Sequence, residues 1–442
     1  MTLPPYPTLS PAARALHDAV DAHARMTRTA HLNPDGPSIQ RDLLGSEAMI
    51  AWQEAKAAYL FDPDGCWSEL PHIYARYGTD ATRALLATLR SIYDAKGAIL
   101  TDSGMSAIGL LADAWLTRGA HVVMTRQVYN KTRTLLRHQL ERVGGELTEV
   151  PDGDPQAVAP ALRPETRLIF TEHHTNPLTR AQDLPALAAV RDAAGLPELR
   201  LAVDDTALTP WGPRTPLLAQ GADVVVGSAT KALSGDDGVL GGYIVGRDLA
   251  LMNRVMDIQA MRGGVLGEPA AGRILAGLPR AELDARIRSA TATALADFLA
   301  AHPAVESVFH PSRPDHPDAA VIARDWAQPG ALMAFRLRDL DDAGHRHAAD
   351  VLAMTRVFRY ALSFDGLVSK VNHHTTVSEY FTPPPVLRGL GLDRLIRLAP
   401  GLEPASDLIA ALAWTLTSHR DVPREAVLAW QAARSAELGL AR

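Results

Sequence analysis

The segment Leu201-Ala-Val-Asp204-Asp205-Thr206, followed by Gly221-Ala-Asp-Val-Val-Val-Gly-Ser228-Ala229-Thr230-Lys231, holds the groups best suited to chemistry. Each half reads as a buried strand ending in polar residues. In open α/β sheets ligands bind outside the carboxyl ends of strands, so one strand delivers a carboxylate and the next an amine to one crevice. Taken alone, Asp204 and Lys231 would serve equally well as a simple ion pair. The chain adds a third component. Thr101-Asp-Ser103-Gly104-Met105-Ser-Ala-Ile108 follows an apolar strand and opens a helix. Small residues at a helix N-terminus bare backbone N–H groups that suit a phosphate, and Ser228 and Thr230 add hydroxyls beside Lys231. An amine, a phosphate cradle and a carboxylate together meet the needs of pyridoxal phosphate. The amine forms the Schiff base, the cradle holds the phosphate, and the carboxylate keeps the ring nitrogen protonated so that the ring is an electron sink.

These groups need a sheet to position them. From about residue 76 short apolar runs alternate with helix-like segments: Gly97–Leu100, His121–Met124, Arg167–Phe170, Leu199–Val203 and Asp223–Val226. That pattern predicts βαβ units and a mainly parallel sheet covered on both faces. Beyond about residue 262 a long helical stretch, Pro269–Ala301, precedes apolar runs at Val305–Phe309, Ala331–Phe335 and Arg394–Leu398, as in a smaller α+β domain. An amphipathic helix follows from Pro423. Residues 1–75 read as an arm without a core of its own, with helices over Pro11–Arg28 and Ser46–Leu60. The expected division is therefore an arm over 1–75 contacting a neighbouring subunit, a cofactor-binding α/β domain over 76–261, and an α+β domain over 262–442.

Composition narrows the function classes. With 44 Lys+Arg against 50 Asp+Glu the net charge is −6, and without a basic stripe nucleic acid is not an expected partner. The single cysteine, Cys66, excludes an internal disulfide and any multi-cysteine metal site, and no motif around it marks a nucleophile. The pairs His173-His174 and His373-His374 each supply at most one ligand to a site, because adjacent residues on a strand point to opposite faces. No metal is expected. No apolar run approaches the roughly 18 residues that cross a bilayer, and the N-terminus lacks the layout of a signal peptide. A cytoplasmic location without membrane contact is expected.

The motifs, taken in order, resemble those of the Cys/Met-metabolism family of fold-type I pyridoxal-phosphate enzymes, which includes cystathionine γ-synthase, cystathionine lyases and methionine γ-lyase. Tyr74-Ala75-Arg76-Tyr77-Gly78, Ser103-Gly104-Met105, Asp204-Asp205-Thr206 and Ser228-Ala229-Thr230-Lys231 are the counterparts of the family's main motifs. Val128-Tyr129-Asn130-Lys131-Thr132, Glu172-His173-His174-Thr175-Asn176-Pro177, Ser363–Ser369 and Ile396-Arg397-Leu398-Ala-Pro-Gly401-Leu-Glu403 resemble its remaining ones. The likeness covers roughly residues 70–415.

The resemblance implies a set of roles. Lys231 is the Schiff-base lysine and proton shuttle, and Asp204 pairs with the ring nitrogen. Tyr129 stacks on the ring, although a core aromatic is its plainer reading, and Asn176 touches the ring oxygen. Ser103, Gly104, Met105, Thr206, Ser228 and Thr230 belong to the cofactor site, mostly around the phosphate. Tyr74 and Arg76 reach that phosphate from the neighbouring subunit, so a homo-oligomer, a dimer of dimers, is implied. Arg397 clamps the carboxylate of an amino-acid substrate with Ser363 nearby. Lys131 is a candidate pocket residue, or else a solvated lysine.

Departures from the family fall around the substrate. Asp205 stands where relatives have Asn, Asp236 replaces a His, Lys131 replaces Gly or Cys, and Leu362 replaces a Glu found in some cystathionine-processing members. The expected activity is γ-elimination or γ-replacement on an amino acid with a γ-leaving group, with the divergences pointing to a specialised pathway. The alternatives are a C–S lyase of the methionine γ-lyase or cystathionine β-lyase type and, outside enzymes, a catalytically silent cofactor-binding protein.

Overall fold

The computed structural model describes residues 46–61 and 73–440. The expected helix Pro11–Arg28 and Cys66 lie outside the described residues. The chain divides into two compact units. One runs to His173 and resumes over Gln182–Glu282; the other comprises His174–Ala181 and the chain from Leu283 on.

The first unit is built on seven strands: β1 (Gly97–Thr101), β2 (His121–Thr125), β3 (Glu146–Val150), β4 (Thr166–Glu172), β5 (Arg200–Asp204), β6 (Val224–Gly227) and β7 (Gly242–Gly246). They lie in the order β1-β7-β6-β5-β4-β2-β3. Pairs from β6 through β3 are parallel, while β7 runs antiparallel to both β1 and β6. The helices are α1 (Ser46–Phe61), α2 (Asp80–Tyr93), α3 (Gly104–Trp115), α4 (Asn130–Val143), α5 (Leu184–Ala193), α6 (Leu249–Arg262) and α7 (Glu268–Ala301), and the chain leaves the unit within α7. Alternate strand residues feed two cores. Val123, Ile169, Leu201, Val203, Val225 and Val245 pack into one; Val122, Met124, Phe170, Ala202, Val224 and Ile244 pack into the other. This is the period-two pattern of a sheet covered on both faces.

Two strands escape the sequence pattern. β3 reads Glu-Leu-Thr-Glu-Val and lies at the sheet edge, where only one neighbour supports it. β7 reads Gly-Tyr-Ile-Val-Gly, a run too short and too glycine-flanked to stand out, yet all of it is buried. Its reversed direction matters for the site. The loop after Lys231 enters β7 from the edge at which β1, β4, β5 and β6 end, so Gly242 lies opposite Thr101.

The second unit carries a five-stranded sheet in the order β10-β11-β12-β9-β8, from β8 (Val305–Phe309), β9 (Met333–Leu337), β10 (Arg359–Tyr360), β11 (Lys370–His373) and β12 (Ile396–Ala399). Its pairs are antiparallel except β10/β11. Met333, Phe335, Ile396 and Leu398 pack with Leu352, Leu408 and Leu412 of the flanking helices.

Candidate active site

The carboxyl ends of adjacent strands bring the central residues together. Asp204 ends β5, opposite Glu172 of β4 and Val226 of β6. Thr206 ties two of these ends to one another. Its N–H and hydroxyl both donate to Asp204 Oδ1, at 2.9 and 2.6 Å, and its oxygen accepts the N–H of Ser228 at 2.9 Å. Among the described residues Oδ2 of Asp204 has no hydrogen-bond donor. Asp204 is 8% exposed. Burial pushes its carboxyl up to about 6, with the Thr206 bonds opposing the rise and the neighbouring Asp205 carboxyl adding to it.

The segment that the sequence marks as a phosphate cradle opens helix α3. Ser103 is the N-cap of α3, its hydroxyl accepting the N–H of Ser106. Gly104 follows at the first helical position, and a Cβ there would stand 3.0 Å from Ser228 Cβ and 3.2 Å from Ser228 Cα. Only a bare backbone lets the α3 N-terminus come this close to Ser228. The N-terminus of α4 is tied to the same place, where the Thr132 hydroxyl meets Met105 Sδ at 4.0 Å. Thr230 is engaged with Gly241, accepting its N–H at 3.0 Å, which closes the base of the Lys231 loop.

Lys231 opens a tight turn whose backbone folds back on itself, with its N–H on the Ser228 carbonyl and its own carbonyl accepting the Gly235 N–H. Helix α7 braces this loop from outside. Arg273 makes a forked pair with Asp236, and Gly277 lies against the Ser234 carbonyl. Asp236, a departure from the family, thus has a defined partner. Tyr129 is 45% exposed, which removes its reading as a core aromatic. It is the N-cap of α4, and its N–H donates to Glu172 Oε1 at 2.6 Å. Lys131 lies exposed in the first turn of the same helix. Arg76 is directed elsewhere in its own unit, donating to the Ala260 carbonyl at 3.0 Å and lying over the rings of Tyr74 and Tyr77.

Asn176, Ser363 and Arg397 belong to the second unit. Asn176 sits in a loop closed by the His174–Ala181 bridge and by the bidentate Arg180–Asp318 pair, at 2.6 and 2.7 Å. Among the described residues its Oδ1 is enclosed without a hydrogen-bond partner. Arg397, 2% exposed on β12, donates from Nη2 to the carbonyls of Leu362 and Ser363 at 2.7 and 3.0 Å, with Phe364 against its guanidinium. Glu403 fixes this loop by accepting the N–H and hydroxyl of Ser369. Ser369 and Glu403 were visible only as motif letters, and Glu172 likewise; their supporting roles follow from the fold. Tyr93 and Tyr243, which surround Asp205, carry no sequence signal.

The residues fit a phosphate-bearing pyridine. A helix N-terminus kept open by a glycine against Ser228 and an Asp204 carboxylate oxygen left without a donor are each unexplained by the first unit alone. Fold and site together define a pyridoxal-phosphate-dependent enzyme of fold type I. The family model described as "Cys/Met metabolism PLP-dependent enzyme" matches residues 49–417. The chain belongs to that family. It is 35% identical to a cystathionine gamma-synthase of Mycobacterium tuberculosis over 77% of this chain and 84% of that protein. It is 31% identical to an L-methionine gamma-lyase of Fusobacterium nucleatum, covering 84% and 94%. The solved structure of a cystathione gamma lyase from Micromonospora echinospora superposes with a TM-score of 0.76 at 26% identity, covering 90% of this chain and 98% of that one.

Proposed function

We propose that this enzyme catalyses γ-elimination or γ-replacement on an amino acid that carries a leaving group on its γ-carbon. The observation that carries the reading is the meeting of Asp204, Ser228 and the Gly104 N-terminus at the strand edge from which the Lys231 turn departs. When bound, pyridoxal phosphate supplies the electron sink that makes α- and β-proton removal accessible. The chain supplies the rest. Nζ of Lys231 holds the cofactor, then takes and returns the substrate protons. Asp204 Oδ2 holds the proton of the ring nitrogen, Tyr129 covers the ring, and Asn176 Oδ1 meets the ring oxygen. The α3 N-terminus with Ser103, Met105, Thr206, Ser228 and Thr230 orders the phosphate. Arg397 orients the substrate carboxylate beside Ser363, and Lys131 lines the substrate side.

A screen of O-acyl-homoserines, cystathionine, methionine and γ-halogenated amino acids tests this reading, following ammonia, 2-keto acid and replacement products. Release of ammonia and keto acid from γ-substituted substrates, or γ-replacement with an added thiol, supports it; turnover of β-substituted amino acids alone overturns it. A C–S lyase is the second reading, favoured by the likeness to a methionine gamma-lyase. It predicts ammonia and keto acid without any replacement product.

The proposal extends to a cytoplasmic homotetramer whose sites are shared between subunits. It is supported by Arg76, which bonds to Ala260 and not to the Ser103–Met105 cradle of its own chain, and by the 39% exposure of Tyr74. Mixing Arg76→Ala with Lys231→Ala protein tests it. In a heterodimer one site then keeps both residues, so partial activity returns; verified heterodimers without activity show that each chain builds its site alone.

A further inference from the structure

The reading above uses one of two adjacent buried carboxyls, Asp204, and leaves the other without a task. Asp205 is 1% exposed, and its N–H is bound to the Val226 carbonyl. The Tyr93 hydroxyl, from α2, donates to its Oδ2 at 3.1 Å. Tyr93 and Tyr243 hydroxyls lie 2.7 Å apart, so with the Tyr93 proton committed to Asp205, Tyr243 of β7 donates to Tyr93. Nδ1 of the fully buried His173, just past β4, lies 3.7 Å from Asp205 Oδ1. The titratable groups facing Asp205 are therefore Tyr93, His173, Tyr243 and its chain neighbour Asp204.

A buried carboxyl is costly unless donors hold it. Here two phenols act in series, and burial makes both of them much weaker acids, so both keep their protons and remain donors. Burial raises the Asp205 carboxyl itself, and the His173 and Tyr93 contacts work against that rise. An amide at position 205 would accept the same Tyr93 bond through its oxygen without burying a charge. What the carboxyl adds is therefore electrostatic. Placed beside Asp204, it raises the preference of that site for a cation.

We infer that Asp205 is a positioning residue of the cofactor-nitrogen site: its carboxylate, hydrogen-bonded by Tyr93 with Tyr243 behind it and His173 Nδ1 3.7 Å away, adds its field to that of Asp204 and strengthens the hold on a protonated ring nitrogen. This rests on the reading of Asp204 as the partner of that nitrogen. The chemical class recognised is a pyridinium, as against an uncharged ring of the same shape.

The test measures binding and not turnover. Full-length protein freed of cofactor is titrated with pyridoxal phosphate and with its carbon analogue, in which C–H replaces the ring nitrogen. The variants are Asp204→Asn, Asp205→Asn and Tyr93→Phe, each checked for folding by circular dichroism. Asp205→Asn is expected to weaken pyridoxal phosphate by about tenfold, the equivalent of one pKa unit, and to leave the analogue unchanged. Asp204→Asn gives a larger loss of the same selectivity, and Tyr93→Phe a smaller one. An equal loss for both ligands in Asp205→Asn marks a structural residue and overturns the inference, as does no loss. If Asp204→Asn discriminates while Asp205→Asn does not, the inference fails and the reading of Asp204 stands. If neither discriminates, the reading of Asp204 falls and the inference with it. Should Asp205→Asn not fold, Tyr93→Phe decides, and an equal loss or none there overturns the inference.

Discussion

The end of β5 and the middle of β12 each bury a charged side chain, and they satisfy it in opposite ways. Asp204 is held at one oxygen, by a threonine two residues on in the chain, and its other oxygen has no donor among the described residues. Arg397 is held by carbonyls from a loop more than thirty residues away, and that loop is itself held by Glu403. The surroundings of Asp204 thus come from short segments at adjacent strand ends. The surroundings of Arg397 depend on a distant loop that holds it through backbone carbonyls, so the outer side chains of that loop are not needed for the contact. Leu362 shows this, since its carbonyl binds Arg397 while its side chain is mostly exposed.

The comparison breaks most sharply at Lys231. Lys231→Ala should lower kcat by at least about 10³-fold, the scale of removing both a nucleophile and its proton transfer. Borohydride reduction and peptide mapping of the unaltered enzyme should place the pyridoxyl label on Lys231; a label on another lysine would refute the assignment.

Arg397→Ala probes the other region. It should raise KM by roughly 10- to 100-fold through loss of charge-assisted bonds, with cofactor affinity unchanged. Reduced cofactor content in this variant would mean that the two regions are not separable in the way the contacts suggest.

The third prediction is on stability. Burial raises the Asp204 carboxyl to about 6 from 3.8, so in cofactor-free protein its contribution is fully present below about pH 4 and lost as pH rises through 6. A rise of about two units corresponds to an order of 3 kcal/mol. Cofactor-free Asp204→Asn should therefore have a higher thermal midpoint than the unaltered chain at pH 8, with the gain vanishing at pH 4. A gain independent of pH would assign it to packing instead of charge.

Lys131→Ala should have the smallest effect. An exposed charge contact is worth at most about 1 kcal/mol, so KM should change by a few-fold, and only for substrates whose γ-substituent is anionic. Equal changes for neutral and anionic substrates would leave Lys131 as a solvated lysine.

The α/β alternation and the polar residues at the strand ends were legible because they depend on local order. A buried parallel strand is an apolar run, and Asp204, Thr206, Ser228 and Lys231 follow their strands directly in the chain. The weaker strands were not legible. β3 is half polar at an edge, and β11 reads Lys-Val-Asn-His yet is wholly buried, because long-range partners satisfy its polar groups. His373 Nε2, for example, meets Asp342 Oδ1 at 3.1 Å, 31 residues away in the chain.

The sequence by itself determined the fold class and the cofactor, since each is carried by motifs of neighbours in the chain. Only the tertiary structure decided what surrounds Asp205. Tyr93 lies 112 residues from it in the chain, and Tyr243 lies 150 residues from Tyr93. Neither stands in a motif. They meet because α2 packs on the face of the sheet where β7, running against its neighbours, directs the Tyr243 side chain, and in that buried setting the two hydroxyls bond to one another and Tyr93 to the Asp205 carboxyl.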